Sequence, residues 1–266
     1  MRKTLFILLF GALFFSACAD DTVNKNTTPT NSNSRTPSLN ENITPVKNTS
    51  SFDPNSKSCN PYFPLRPGTS VKYTLQYSSP LVAEVTVVTD AAEENGQKVF
   101  IERTQIVDKS GGYEKNELST RKYICEDGRI KILSEKTENK IQGQASVFEH
   151  KFRGVPYLLV DPSALEKKGS TWTVSFTQTI SVGDQPPMNP AEPIIINFES
   201  QGEEEIKTPA GTFKAWRVAR KIKEAEVYDY YVKGLGLVKR ASKEGTNWEM
   251  KEYAGLQPDP KSVVEK

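Results

Sequence analysis

Thr171-Trp172-Thr173-Val174-Ser175-Phe176-Thr177-Gln178-Thr179-Ile180 alternates large and mostly apolar side chains with small hydroxylated ones at every second position. Successive side chains of a strand point to opposite faces, so this stretch has one buried and one solvated face. A parallel strand covered by helices on both sides reads instead as a continuous apolar run. The alternation therefore selects an antiparallel sheet. Val71, Tyr73, Leu75 and Tyr77 repeat the pattern against Ser70, Lys72, Thr74 and Gln76.

Working outward, the spacing predicts further strands over 81–89, 98–107, 118–125, 129–135, 146–152, 194–199, 213–222, 227–233, 237–241 and 247–253. Turn chemistry joins them as hairpins. Asp127-Gly128 favours the turn whose twist matches paired strands, and Pro209-Ala210-Gly211 fits a turn closed by a left-handed glycine. One stretch reads as helix: Asp161 as N-cap, Pro162 at the first helical position and Gly169 past the end enclose 163–168. The Pro-rich stretch 183–193 has no periodicity and reads as a surface loop. No internal repeat is visible. The fold class is all-β: a single strongly curved antiparallel sheet or partly closed barrel with one short helix, occupying 59–256 and followed by a flexible tail, 257–266.

The N-terminus carries the compartment. Arg2 and Lys3 precede an apolar run from Leu5 to Phe15 and then Ser16-Ala17-Cys18. Basic, greasy and small segments in that order form an export signal, 1–17, and the run is about half of the ~20 residues of a membrane-spanning helix. Phe15-Ser16-Ala17-Cys18 resembles a bacterial lipobox, with Phe15 where that family usually has Leu. The resemblance implies cleavage before Cys18, fatty acylation of its thiol and a protein tethered to a membrane. An ordinary signal-peptide site at Ala17-Cys18-Ala19, releasing a soluble protein that starts at Asp20, is the alternative. Ala19 behind the cysteine resembles the outer-membrane sorting pattern of two-membrane bacteria. From Cys18 to residue 58 the chain is Thr, Asn, Ser and Pro with little apolar content, which reads as disordered linker. A coil of ~40 residues spans roughly 35 Å.

Composition narrows the partners. The 266 residues are 36% hydrophobic and 26% charged, with a formal net charge of +2. That is enough apolar material for one core, and it lacks the concentrated basic surface that nucleic acid requires. Charges are interspersed, as in Arg121-Lys122 beside Glu126-Asp127, and read as solvated strand faces. With Cys18 acylated, Cys59 and Cys125 remain as a pair in an oxidising compartment. A bridge closing ~66 residues stabilises a fold by about 4 kcal/mol in the chain-entropy model; two separate thiols are the alternative.

His150 is the only histidine, so any Ser-His-Asp or Cys-His constellation would have to be built on it. The alternation of Phe148-Glu149-His150-Lys151-Phe152 is read as turning it away from the two phenylalanines, as an exposed or hydrogen-bonded structural residue. No Cys or His cluster has zinc-ligand spacing, so neither metal nor cofactor is expected. Gly234-Leu235-Gly236-Leu237-Val238 lacks the third glycine and the following helix of a dinucleotide fingerprint, and reads as a tight turn or bulge. No catalytic residue stands out, and the expectation is that the protein is not an enzyme. An envelope hydrolase using distant carboxylates is the remaining enzymatic alternative.

Aromatic density is the one feature pointing to a ligand. Trp172, Phe176, Phe198, Trp216, Tyr228 and Tyr230 fall on adjacent strands if chain order follows hairpin order. A curved sheet so lined holds an acyl chain on its concave side, or the same residues simply fill a core. Tyr62-Phe63-Pro64-Leu65-Arg66-Pro67-Gly68, Thr208-Pro209-Ala210-Gly211-Thr212-Phe213 and Tyr230-Tyr231-Val232-Lys233-Gly234-Leu235-Gly236-Leu237-Val238-Lys239 resemble a broad group of uncharacterised bacterial envelope β-proteins. More remotely the pattern is similar to the half-barrel of periplasmic lipoprotein carriers, which implies a hydrophobic ligand. The expectation is a lipid-anchored, non-enzymatic binding or interaction module in the cell envelope, facing the periplasm or the surface. Its partners would be the membrane through the anchor and an envelope protein or small apolar ligand. A carrier or chaperone for a lipid-like ligand is the alternative.

Overall fold

The alternation at 171–180 becomes β7 (Thr171–Val182), one of twelve antiparallel strands that close on themselves. The others are β1 (Thr69–Gln76), β2 (Val82–Glu94), β3 (Gln97–Asp108), β4 (Lys115–Glu126), β5 (Arg129–Ile141), β6 (Gln144–Arg153), β8 (Ile194–Thr208), β9 (Gly211–Ile222), β10 (Ala225–Val232), β11 (Gly236–Ser242) and β12 (Asn247–Ala254), with α1 (Pro162–Leu165) between β6 and β7. The computed structural model describes residues 42–44, 59–77, 82–108, 115–126, 129–141, 144–153, 160–183, 185–190, 192–243, 245 and 247–264. The export signal 1–17, Cys18 and most of the linker 18–58 lie outside the described residues. So do Asp127 and Gly128, whose flanks pair Glu126 with Arg129.

Neighbours in sequence are neighbours in the sheet, and β1 pairs with β12, from Ser70 opposite Ala254 to Gln76 opposite Asn247. The sheet that the sequence leaves partly open is thus a closed barrel, which removes both exposed edges. Asn95 and Gly96, both with positive φ, turn β2 into β3. Gly211 closes the hairpin between β8 and β9. β8 runs on to Thr208, well beyond the predicted 199, because a bulge between Ser200 and Gly202 absorbs one residue and pairing resumes through Glu203 to Glu205. The helix is shorter than its punctuation suggests, although Asp161 does cap it by accepting from the Ser163 and Ala164 amides. In the Pro-rich loop, Ile180 and Met188 exchange backbone hydrogen bonds of 2.8 Å in both directions.

Cys59 and Cys125 form a disulfide with a Cα–Cα distance of 5.9 Å. It leads into a capping segment in which Asn60, Tyr62 and Leu65 are buried. Asn60 Nδ2 donates to the Val160 carbonyl at 2.6 Å, and the Tyr62 hydroxyl donates to Glu166 at 2.7 Å. Val71, Tyr73, Leu75, Val85, Ile106, Phe213, Val232, Trp248 and Met250 belong to the main apolar cluster.

Two stretches expected to be loose are partly docked. Within the linker, Ile43 is buried against Val88 and Leu118, its amide donates to Gln105 at 3.2 Å, and Arg103 donates to the Thr44 carbonyl at 3.3 Å. The lone isoleucine of a polar stretch has found an apolar notch on the barrel wall. In the tail read as flexible, Pro260–Ser262 forms a 3-10 turn, the Asp259 amide donates to Lys233 at 2.8 Å and the Val264 amide to Thr212 at 3.1 Å.

That tail explains Gly234. Its φ is +84°, and a Cβ there would stand 2.0 Å from the Gln257 carbonyl oxygen. Left-handed strain and a backbone clash act together, so Gly234→Ala is expected to cost about 2 kcal/mol and roughly 4–8 °C in Tm. Calorimetry checks it; an unchanged Tm would show that the tail does not hold its place.

Candidate functional site

Register identifies a single continuous face. Tyr73 lies opposite Val85 and Val85 opposite Ile106. Glu102 lies opposite Arg121, Arg121 opposite Glu135, Glu135 opposite His150 and His150 opposite Ile180. Trp172 lies opposite Phe198, and Phe198 opposite Arg220. Val218 lies opposite Asp229, Asp229 opposite Arg240, Arg240 opposite Trp248, and Trp248 opposite Leu75, which closes the ring on β1. Arg121 on β4 and Arg240 on β11 are five strands apart around the ring, yet the charge of Arg121 opposes that of Arg240. Only across the lumen do they approach, so this face is the inner one.

The inner wall holds two charge clusters. In the first, the Arg121 guanidinium is 2.8 Å from Glu135 and 3.5 Å from Glu102, the Tyr123 hydroxyl donates to Glu102 at 3.3 Å, and the Ser119 hydroxyl donates to Glu135 at 3.1 Å. In the second, Arg240 forks onto Asp229 through Nε at 2.6 Å and Nη2 at 3.2 Å, and Arg220 Nε lies 3.2 Å from the same carboxylate. The Tyr231 hydroxyl donates to Asp229 at 3.4 Å. One cluster has two carboxylates for one guanidinium; the other has two guanidiniums for one carboxylate.

Burial and charge compete at each group. Desolvation alone would push Asp229 up, but Arg240 and Arg220 together hold it below its ordinary value. Desolvation prevails at Glu102, which stands above the usual carboxylate range in spite of Arg121. Burial also opposes the charge of Arg121 and of Arg240, and it is the largest single influence on both, although their carboxylate partners more than offset it. Both guanidiniums are therefore deep in the molecule, yet solvent reaches 18% of the Arg121 side chain and 19% of that of Arg240. Asp229 itself retains only 2%. Water thus reaches part of the inner wall at these two guanidiniums, while Tyr73, Leu75, Val85, Ile106, Phe198 and Trp248 on the same face are buried. A barrel of eight strands is just filled by side chains and one of sixteen is an open channel, so twelve strands lie between.

The sequence read Arg121 as part of a solvated strand face, which the structure corrects. Its neighbour Lys122 points outward to Glu94, whereas Arg121 points inward. His150 is also corrected. Residues two apart share a face, so it lies with Phe148 and Phe152, and its ring stacks with that of Phe152 at 6.4 Å. His150 Nδ1 is 3.2 Å from Gln178 Oε1, and burial lowers its proton affinity against the pull of Glu135.

A pH dependence follows from this burial. A histidine whose folded pKa lies below its ordinary value of 6.5 binds fewer protons in the folded than in the unfolded chain, so stability falls as pH drops through about 6.5. His150→Gln is expected to flatten that slope. Urea midpoints at pH 7 and 5.5 check it, and equal slopes for both proteins would show that His150 is not the titrating group.

The six aromatic residues singled out by sequence separate. Trp172, Phe176, Phe198 and Trp216 are on the inner phase, where Trp172 stacks on Phe198 at 5.1 Å and Phe176 meets Phe152 edge-on at 5.6 Å. Tyr228 and Tyr230 alternate with Asp229 along β10, yet Tyr230 is buried in the main apolar cluster and Tyr228 packs against it, with the Arg217 guanidinium over the Tyr228 ring at 4.2 Å and 6.0 Å from that of Tyr230. Sequence reasoning missed Glu102, Arg121, Glu135, Arg220, Asp229 and Arg240. The available signal was a charged residue in an apolar phase: Asp229 stands in Val227-Tyr228-Asp229-Tyr230-Tyr231.

A family model described as DUF3108-like matches residues 72–248, from within β1 to within β12. A crystal structure of a protein inferred to be exported, with a YmcC-like fold, from Bacteroides fragilis, is 14% identical in sequence; the alignment covers 73% of this chain and 98% of that one with a TM-score of 0.43. No curated protein matches the chain.

Proposed function

The chain belongs to the DUF3108-like family, and from its barrel we propose that it is an exported, lipid-anchored envelope protein whose lumen is a non-enzymatic binding site. The observation that carries the binding reading is the pair of deep guanidiniums, Arg121 and Arg240, that solvent still reaches. Fixed side chains lining a reachable cavity are the usual form of a small-molecule site. The stacked Trp172 and Phe198, with Phe152 and Phe176, add an apolar stretch to the same wall and favour a ligand that is partly hydrophobic.

Export rests on the 1–18 pattern and on the disulfide, which persists in an oxidising compartment. The outer phase of the barrel supports a body standing in water. Thr173, Ser175 and Thr177 on β7, and the Lys136–Glu138 ion pair on β5, occupy positions where a membrane-embedded barrel presents an apolar band. The anchor would then be the lipid on Cys18 rather than the strands. On this reading His150 is a structural residue, its Nδ1 3.2 Å from Gln178 and its ring stacked on that of Phe152.

Native mass spectrometry of full-length protein purified from its own cells tests both parts. Expected are a mature chain beginning at Cys18 with added acyl mass, and a noncovalent small molecule bound to the folded barrel. A chain starting at Asp20 without acyl mass would remove the anchor. A barrel that neither carries nor takes up any small molecule would remove the binding role.

A further inference from the structure

The outer wall of the barrel carries an apolar notch, and a piece of the linker sits in it. Leu118 alternates with Thr120 and Lys122 along β4, and Lys122 reaches outward to Glu94, so Leu118 is on the outer phase. Arg103 lies opposite Val88 and Gln105 opposite Leu118, which puts all four residues on that phase of β2, β3 and β4. On an outer face Val88 and Leu118 would meet water. Instead they are 0% and 2% exposed, and Ile43, which packs on them, is 5% exposed.

The contact has the form of a short extended strap. Asn42 and Thr44 are exposed on either side of the buried Ile43. The Ile43 amide donates to Gln105 Oε1 at 3.2 Å, and Arg103, paired with Asp90, donates through Nη2 to the Thr44 carbonyl at 3.3 Å. Pro45 follows in the sequence and biases Thr44 toward extended backbone. Two hydrogen bonds to the backbone and one buried branched side chain specify an extended peptide.

The strap is weakly held. One buried isoleucine and two hydrogen bonds gain about as much as ordering three residues costs, so it can let go without unfolding the barrel. Ile43 precedes Cys59 by only sixteen positions, and the disulfide fixes Cys59 to Cys125 on the same β4 that carries Leu118. A segment joined so closely to its notch is present there at high effective concentration, which favours it over the same segment of a second copy.

Resting on the lipid-anchored reading, we propose that the notch on β2 to β4 is a docking site for this chain's own 42–44 segment, a releasable strap that gives the membrane tether two lengths. With the strap docked, the leash runs from Cys18 to Ile43 and reaches at most about 85 Å; released, it runs to Cys59 and reaches at most about 140 Å. Docking also makes the β2 to β4 wall the side from which the leash leaves the barrel. A pull on the barrel opens the strap before it strains the fold, because the strap is the weaker attachment.

Hydrogen exchange on the full mature chain tests the docking. The Ile43 amide is expected to exchange roughly ten- to a hundredfold more slowly than an unstructured amide, yet far faster than the paired amides of β3. Protection of less than about twofold overturns the docking site, and protection equal to that of β3 overturns release from a folded barrel. Ile43→Ser is expected to abolish the protection at this position and leave the strand amides as they are, whereas Ile43→Val keeps most of it. Full protection in Ile43→Ser overturns the anchoring role of the side chain. Protection that rises with protein concentration assigns the notch to a second copy and overturns the strap in cis. The two lengths are read by neutron reflectometry of the acylated protein on a supported bilayer. For coil statistics Ile43→Ser raises the mean height of the barrel by about 8 Å, and an unchanged height overturns the two-length tether. A mature chain without acyl mass removes the leash together with the anchor, while the exchange result at Ile43 still decides whether the segment docks.

Discussion

Asp229→Asn is expected to destabilise the barrel by about 3–5 kcal/mol, because it removes the buried negative charge that both the Arg220 and the Arg240 guanidinium face. Asp229 is buried, it accepts from Arg240 and from Tyr231, and it lies 3.2 Å from Arg220. A neutral amide of the same shape cannot compensate two cations at this depth. For a domain of this size the loss corresponds to roughly 10 °C or more in Tm. The sign is separable from mere loss of packing by a second substitution. Adding Arg240→Met to Asp229→Asn removes one of the stranded charges and is expected to recover part of the stability. A double variant less stable than the single one would show that packing, not charge, dominates. The same carboxylate sets an acid limit. Its folded pKa is depressed from 3.8, so its stabilisation is complete above that value and is lost as pH falls through the lower, folded pKa.

Removing the disulfide with Cys59→Ser and Cys125→Ser is expected to cost about 4 kcal/mol, since the bridge closes a loop with a sequence separation of 66. The native side of the effect is local. Cys59 adjoins Asn60 and Tyr62, whose hydrogen bonds to Val160 and Glu166 tie the capping segment to the α1 region, and Cys125 lies near the end of β4. Without the bridge the capping segment is held by these contacts and by the Phe63 ring on Tyr123 at 5.5 Å. Denaturant melts under oxidising and reducing conditions check the prediction, with a midpoint loss expected on reduction of the native protein but not of the double variant. A reduced native protein as stable as the oxidised one would show that the bridge contributes nothing.

Most of the secondary structure was legible because a strand with one wet face writes its period into the sequence. Each predicted strand lies within or across an observed one, and Asp161-Pro162 marks the helix start. The misplaced boundary at β8 has a physical cause. Glu203-Glu204-Glu205 looks like an exposed run, and in β8 these three side chains are indeed exposed, but their backbones pair with β9 beyond the bulge. Side-chain exposure and backbone pairing are separate facts, and composition reports only the first.

The candidate site was far less legible. Arg121 beside Lys122 is, in the chain, an ordinary pair of charges; on β4 one points into the lumen toward Glu135 and the other out to Glu94. Asp229 meets Arg220 and Arg240 because β10 lies between β9 and β11, and no local rule announces that meeting.

By itself the sequence determined the all-β class, the hairpin order and the punctuation of the turns, because these depend on residues close together in the chain. Only the tertiary structure decided that the sheet closes, and with it which phase of each strand faces the lumen. Closure is the pairing of β1 with β12, nearly the full length of the barrel apart in sequence. Period two tells which side chains share a face; it does not tell which face will be inside once distant edges join.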